Sequence, residues 1–317
     1  MPMPGAIRYL LVTPETTWGT FPGSPAREHL PVTEYSPLFK KETRQSKMYT
    51  GVFQQKHSKA FRGMPSGNLV TPIYGWKPGA GDTWMKTLLD WAFADHETQL
   101  LPSKSFEWSQ GPDLANLRHS GMRVNGATLA GGAEQNQVTL SLDLMGKSEV
   151  ADTTVGTLPA ATVNLHELKD VEYDDCTFAL NGSAIQLESF SLQVQHGLKV
   201  DYLNSSSPTV LIKTQRVVTL TMVPLLEDDA WHIRNEYAGG ANGYNVVTAQ
   251  IVLKGLHDGT GATGNWTVGT IDLAACHLTG YEQQGGMEDL LKQQLTFVCL
   301  KPDSSTKDLE LTYSEAA

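Results

Sequence analysis

Apolar and polar residues alternate with a period of two along several stretches of the chain. Val138, Leu140, Leu142 and Leu144 share one side of a run whose other side carries Thr139, Ser141 and Asp143. An extended backbone points successive side chains to opposite faces, so this pattern predicts strands that are buried on one face and wet on the other. Phe190, Leu192 and Val194 oppose Ser191, Gln193 and Gln195 in the same way, and Val218, Leu220 and Met222 oppose Gln215, Thr219 and Thr221. Leu295, Phe297 and Cys299 alternate with Thr296, Val298 and Leu300. Just before Phe190 the phase slips, because Ile185 and Leu187 occupy the other parity; one extra residue near Glu188 and Ser189, a β-bulge, accounts for it.

Strand signals begin near residue 31 with HLPVTEYSPLFKKET and continue through KAFRGMPSGNLVTPIY, where Leu69, Thr71 and Ile73 alternate with Val70, Pro72 and Tyr74. The period then changes. In DTWMKTLLDWAF, Trp84, Leu88 and Trp91 fall at i, i+4 and i+7, which predicts an amphipathic helix that Asp82 can cap. A hairpin follows in GMRVNGATLAGGAEQNQVTLSLDLMGKSEV, and EDDAWHIRNEYA reads as a second helix. Residues 1–30, rich in Pro, Gly and Thr, read as an extended arm, and residues 303–317 as a polar, frayed tail.

The two halves repeat one order of elements. Each has strand, long loop, a strand ending in VTPI or MVPL, an acidic turn, a helix opening on Asp-x-Trp, and a closing hairpin; Asp82 and Trp84 match Asp229 and Trp231 in spacing. The division that follows is an arm (1–30), a first unit (31–150), a connecting segment (151–175), a second unit (176–302) and a tail (303–317). The fold class is β-rich α+β, with two pseudo-repeated units, each an antiparallel sheet or half-sandwich flanked by a helix.

Composition agrees with a turn-rich globular chain: 317 residues, 40% hydrophobic, 18% charged, with 29 Gly and 16 Pro. The formal net charge of -10 argues against affinity for phosphate backbones, which basic patches recognise. Cys176, Cys276 and Cys299 are too widely spaced for a zinc knuckle or a disulfide framework, which fits a reducing compartment. The opening MPMPGAIRYLLVTPE lacks the signature of a cleaved leader, and no stretch of apolar residues is long enough to span a bilayer. No membrane contact is expected.

No catalytic, metal or cofactor site is expected either. Gly259, Gly261 and Gly264 form G-x-G-x-x-G, but the NWTVGTIDL that follows is strand-like, whereas a dinucleotide fingerprint must open a helix. Nine histidines lack metal spacing, and neighbours Cys276 and His277 point to opposite faces of a strand. Asp174 and Asp175, and the run Glu227, Asp228 and Asp229, sit where turns and caps place acids. Trp84 and Trp231 fit a core or interface stripe better than a ligand platform.

The stretch PETTWGTFP, followed by a strand, a loop and the passage in which Arg62, Gly63, Ser66 and Gly67 spell R-G-x-x-S-G, resembles the major tail tube proteins of long-tailed bacteriophages. SFSLQVQHGLKVDYL with TQRVVTLTMVP is the analogous passage of the second half, without the glycines. The resemblance implies a structural virion protein, not an enzyme. Its sheets would join a large intersubunit β-barrel, and its stacked rings would form the channel for DNA. Members supply six units per ring, so a duplicated chain implies a trimer with pseudo-sixfold symmetry, and an unduplicated one a hexamer. About two dozen strands ~4.8 Å apart and tilted ~40° close a barrel roughly 45–50 Å across, wide enough for a duplex. On this reading Thr139, Ser141, Asp143, Ser191, Gln193, Gln195, Gln215, Thr219 and Thr221 face the lumen. Met48, Tyr49, Val52, Phe53, Tyr202 and Leu203, on loops between paired strands, contact the adjacent ring, as does the arm. Further implied partners are tail terminator, tape measure and distal tail proteins, with DNA only in transit, and the location is the virion after assembly in the host cytoplasm.

Alternation alone also fits an antiparallel sandwich with one wet face. A carbohydrate-binding or adhesion-type β protein, and a tail terminator or hub ring, remain as alternatives of function.

Overall fold

The computed structural model describes residues 9–23, 25–45, 58–75, 84–93, 100–109, 116–152, 169–224, 246–255, 266–284, 292–302 and 307–313. In the first half the strands are β1 (Tyr9–Pro14), β2 (Glu28–Leu30), β3 (Glu34–Gln45), β4 (Ser58–Pro72), β5 (Tyr74–Gly75), β6 (Lys104–Ser109), β7 (Asn116–Gly132), β8 (Gln137–Met145) and β9 (Ser148–Asp152), with helix α1 (Trp84–Phe93) after β5. The second half adds β10 (Lys169–Asp170), β11 (Thr177–Leu180), β12 (Ser183–Ile185), β13 (Leu187–Gln195), β14 (Leu198–Asp201) and β15 (Val210–Lys213). It closes with β16 (Val217–Pro224), β17 (Val247–Gly255), β18 (Trp266–Gln284), β19 (Lys292–Cys299) and β20 (Glu310–Thr312).

Sixteen of these strands form one antiparallel sheet that is open at its ends among the described residues; β5 with β10, and β14 with β15, make two small ladders. The expected hairpin is β7–β8, closed by the turn at 133–136, and Val138, Leu140, Leu142 and Leu144 are all fully buried. The parity slip before Phe190 is a real bulge, with the β13–β16 register shifting between Leu187 and Ser189. Helix α1 buries Trp84, Leu88 and Trp91 as the periodicity required.

β7 and β18 do most to shape the sheet, because each changes partners midway. β7 pairs with β6 and β9 through its first part, then with β8 and β13 through its second. The switch falls at Gly121, whose φ of 74° a side chain would resist. β18 pairs with β17 and β20 first and with β19 afterwards.

Three expectations need correction. Residues 9–14, read as part of an extended arm, form a strand of the sheet: β1 buries Leu10, Leu11 and Val12 between β2 and β6. The tail is partly built in, since β20 pairs with β18 and Leu309 is buried, because its apolar residues find room against the core. Gln215 precedes β16 and does not belong to it; the chain turns where the Thr214 N–H donates to the Gly197 carbonyl, with Gly197 at φ 57°. Asp82 and the second helix, with Asp229 and Trp231, lie outside the described residues.

Candidate functional site

Ladder registers trace one row of residues across eight strands. Glu34 faces Val70, Val70 faces Ser141, Ser141 faces Thr128 and Thr128 faces Gln193. From there Gln193 faces Thr219, Thr219 faces Val298 and Val298 faces His277. The strand order is therefore β3, β4, β8, β7, β13, β16, β19, β18. A neighbouring row on the same face runs Thr139, Ala130, Ser191, Thr221 and Thr296. Asp143, Gly126 and Gln195 form a third.

One residue along each strand, the row is apolar. Tyr35, Leu69, Leu142, Ala127, Val194, Val218, Cys299 and Cys276 stand opposite one another in that order, and all are buried. The sheet is thus a wall with one polar face and one core face, as period-two alternation demands. Eight of the nine residues expected on a lumen lie on this polar face; Asp143 and Gln193 are exposed and the other six half-buried. Gln215, also exposed, sits at its rim.

At the end of the wall where Gln195 lies, two hairpins project and meet. The Gly63 N–H on β4 donates to the Ser206 carbonyl between β14 and β15 at 3.0 Å, and the Arg62 guanidinium lies 4.9 Å from the centre of the Tyr202 ring. Leu203 beside it is 62% exposed, a large apolar residue at a hairpin tip. Tyr202 is half-buried against its own chain. Met48, Tyr49, Val52 and Phe53 lie outside the described residues.

The segment after β1 is held by a carboxylate that sequence reading passed over. Glu15 accepts hydrogen bonds from the Gly19 N–H (2.8 Å), the Gly121 N–H (2.7 Å) and the hydroxyls of Ser103 (2.7 Å) and Ser105. Trp18 donates to the Gly121 carbonyl at 2.9 Å and lies between Arg123 and Lys147, 4.9 and 4.8 Å from its ring. PETTWGTFP therefore packs on its own β7. Its Glu-then-Trp order was visible in the sequence, but the acceptor's partners come from residues about 90 and 106 positions away.

Among the described residues no group of three or more His, Cys, Asp or Glu could hold a metal ion. Cys276 faces Cys299 in the core, with the sulfurs 2.9 Å apart, while His277 belongs to the polar row. Asp174 and Asp175 lie in the short 3-10 turn Tyr173–Asp175, where the Asp174 N–H donates to the Asn136 side-chain oxygen. Trp84 packs beside Tyr74, ring centres 5.8 Å apart. Gly259, Gly261, Gly264 and the run from Glu227 to Asp229 lie outside the described residues. No helix among the described residues is long and apolar enough to cross a membrane. What the geometry offers is a broad wall, polar on one side and buried on the other. A family model described as phage tail tube protein matches residues 5–299. No curated protein matches the chain.

Proposed function

Because the chain belongs to the phage tail tube protein family and is a structural tail tube component, we propose that its copies join edge to edge into rings whose polar face lines the bore for DNA. The chain is read as two tube units in tandem, so three copies make a pseudo-sixfold ring. The observation that carries this reading is the recurrence of one pairing order. β1 ladders with β2 and β6, β6 with β7, and β7 with β8 and β9, beside the run β3, β4, β8, β7. β11 ladders with β12 and β17, β17 with β18, and β18 with β19 and β20, beside the run β13, β16, β19, β18.

Each unit then gives four strands to the wall, and β7 paired with β13 is the joint between units. A bore of Gln, Thr and Ser with some carboxylate holds no phosphate firmly, so DNA slides past. The hairpin tip at Tyr202 and Leu203, with the loop carrying Met48, Tyr49, Val52 and Phe53, docks on the adjacent ring. Terminator, tape measure and distal tail proteins complete the tail, which is built in the host cytoplasm and carried in the virion. Negative-stain images of the purified chain at high concentration test the reading. Hollow rods or rings with three chains per ring are expected, and featureless monomers would overturn it.

A further inference from the structure

Resting on that ring reading, we infer that a second copy of this chain pairs the edge of its β18 with β3, in a register that sets Tyr281 opposite Tyr35 and Glu282 opposite Glu34. The template lies inside the chain. β7 carries two ladders over its second part, with β8 on one side and with β13, from Gly126 to Gly132, on the other. β18 has, from Leu278 to Gln284, a ladder with β19 alone among the described residues. Among the described residues β3 likewise pairs with β4 alone. A strand edge that carries no second ladder among the described residues offers its backbone donors and acceptors to another strand.

The register follows from the core-facing residues. Val138, Leu140, Leu142 and Leu144 of β8 correspond to Gln293, Leu295, Phe297 and Cys299 of β19, all buried, with each strand's hairpin closing one residue earlier, at Gln137 and at Lys292. Leu140 faces Leu129, and Leu295 faces Tyr281, so Tyr281 is to β18 what Leu129 is to β7. On the other side, Leu142 leads through Leu69 to Tyr35, and Phe297 leads through Leu220 to Leu192. Tyr35 is therefore to β3 what Leu192 is to β13. Leu129 stands opposite Leu192 within the chain. The matching pair between chains is Tyr281 and Tyr35.

Relief agrees with this. A cavity of about 450 Å³ opens at the edge of β3, lined by Tyr9, His29, Glu34, Tyr35, Tyr74 and Trp108 among others. Inside the chain, the joint between units is tight on its core side, where a Cβ on Gly131 would lie about 3.0 Å from the rings of Phe190 and Tyr173, and a cavity of about 430 Å³ opens beside Ala130, Gly131, Ser189 and Phe190. The open cavity beside Tyr35 is the space that the incoming Tyr281 ring would fill, and aromatic walls suit it. Glu282 and Glu34 are both exposed and would meet on the bore face, where like charges directly opposite weaken a ladder.

Two substitutions on exposed positions test the register, since the native thiols are all buried. Opposed residues in a ladder lie within disulfide reach. Chains carrying Glu34→Cys and Glu282→Cys together should cross-link under a mild thiol oxidant such as diamide, into covalent dimers and closed trimers on a non-reducing gel. Glu34→Cys with His277→Cys, several residues out of register, should not. Glu282→Lys alone should raise the fraction of rings seen by sedimentation at low salt. Rings or tubes without the first cross-link, equal cross-linking of the shifted pair, or a loss of rings in Glu282→Lys would overturn this seam and leave the tube reading standing. A chain that stays monomeric at every concentration would overturn the ring reading beneath it.

Discussion

Thr128 and Gln193 stand opposite each other across β7 and β13, the ladder where, among the described residues, the first-half wall strands meet those of the second. Beside them Ala127 and Val194 form the next pair, and both are fully buried. One step along the strand exchanges water for core, so the joint carries the polar face and the core face from one half to the other without a break.

Packing at this joint depends on glycine. Besides its approach to Phe190 and Tyr173, a Cβ on Gly131 would lie 3.2 Å from Val138. Gly131→Val is expected to cost about 1–3 kcal/mol through overpacking, seen as a lower denaturation midpoint. Gly126→Ala would meet the movable Gln195 amide instead and should stay within about 0.5 kcal/mol. Equal losses at both positions would contradict this account of the seam.

The polar row should govern DNA passage more than folding. Replacing Ser141, Gln193 and Thr219 together with Arg leaves the buried row untouched and adds phosphate-binding charge along the proposed bore. Tubes should still form, and genome ejection from particles carrying them should slow or stall. Ejection at the normal rate would count against this face lining the channel.

The hairpin tip offers a test of stacking separate from ring closure. Leu203→Asp places a charge at a position already 62% exposed, so the thermal midpoint should hold. The expected result is rings that no longer stack into rods by electron microscopy. Rods of ordinary length would remove this tip from the ring–ring contact.

A buried imidazole predicts acid sensitivity. His119 lies 3.0 Å from the Tyr35 hydroxyl and 3.0 Å from the Glu149 carboxylate; burial holds it below its ordinary value of 6.5, although Glu149 pulls upward. The folded chain therefore keeps the ring neutral where the unfolded chain would take a proton. That contribution is complete above about pH 6.5 and is lost as pH falls toward the folded value. His119→Gln should be less stable than the parent at pH 8 yet show a shallower loss between pH 6.5 and 5. Parallel pH profiles would show that another group sets the acid limb.

Thiol chemistry should report global opening. Cys176, Cys276 and Cys299 are buried; burial pushes the Cys176 thiol up to about 12, and Cys299 is raised by its contact with Cys276 and by burial. A thiol-reactive chromophore at pH 8 should find none of them in the folded chain and all three in denaturant. Prompt reaction of Cys276 or Cys299 in the native protein would contradict the packing of β18 against β19.

Much of the wall was legible in the letters. Leu140, Leu142 and Leu144, or Leu192 and Val194, announce their buried face because alternation of side chains is a local property of any extended backbone. The slip before Phe190 announced the bulge for the same reason, and the spacing of Trp84, Leu88 and Trp91 announced α1. Local pattern failed where local signals conflicted. Turn-rich neighbours hid β1, and Gln215, which alternation set in one row with Thr219 and Thr221, precedes β16, beside the place where Thr214 bonds to Gly197.

Beyond the hairpin of β7 and β8, which strand lies beside which was decided by tertiary structure. Every backbone offers the same N–H and C=O groups, so nothing in the sequence of β7 names β6, β9 and β13 as its further partners. The choice is made when distant core faces pack together, and it is that choice that places Thr128 beside Gln193 and ties Glu15 to Gly121. Face is written residue by residue, whereas neighbourhood emerges only when the whole core is buried at once.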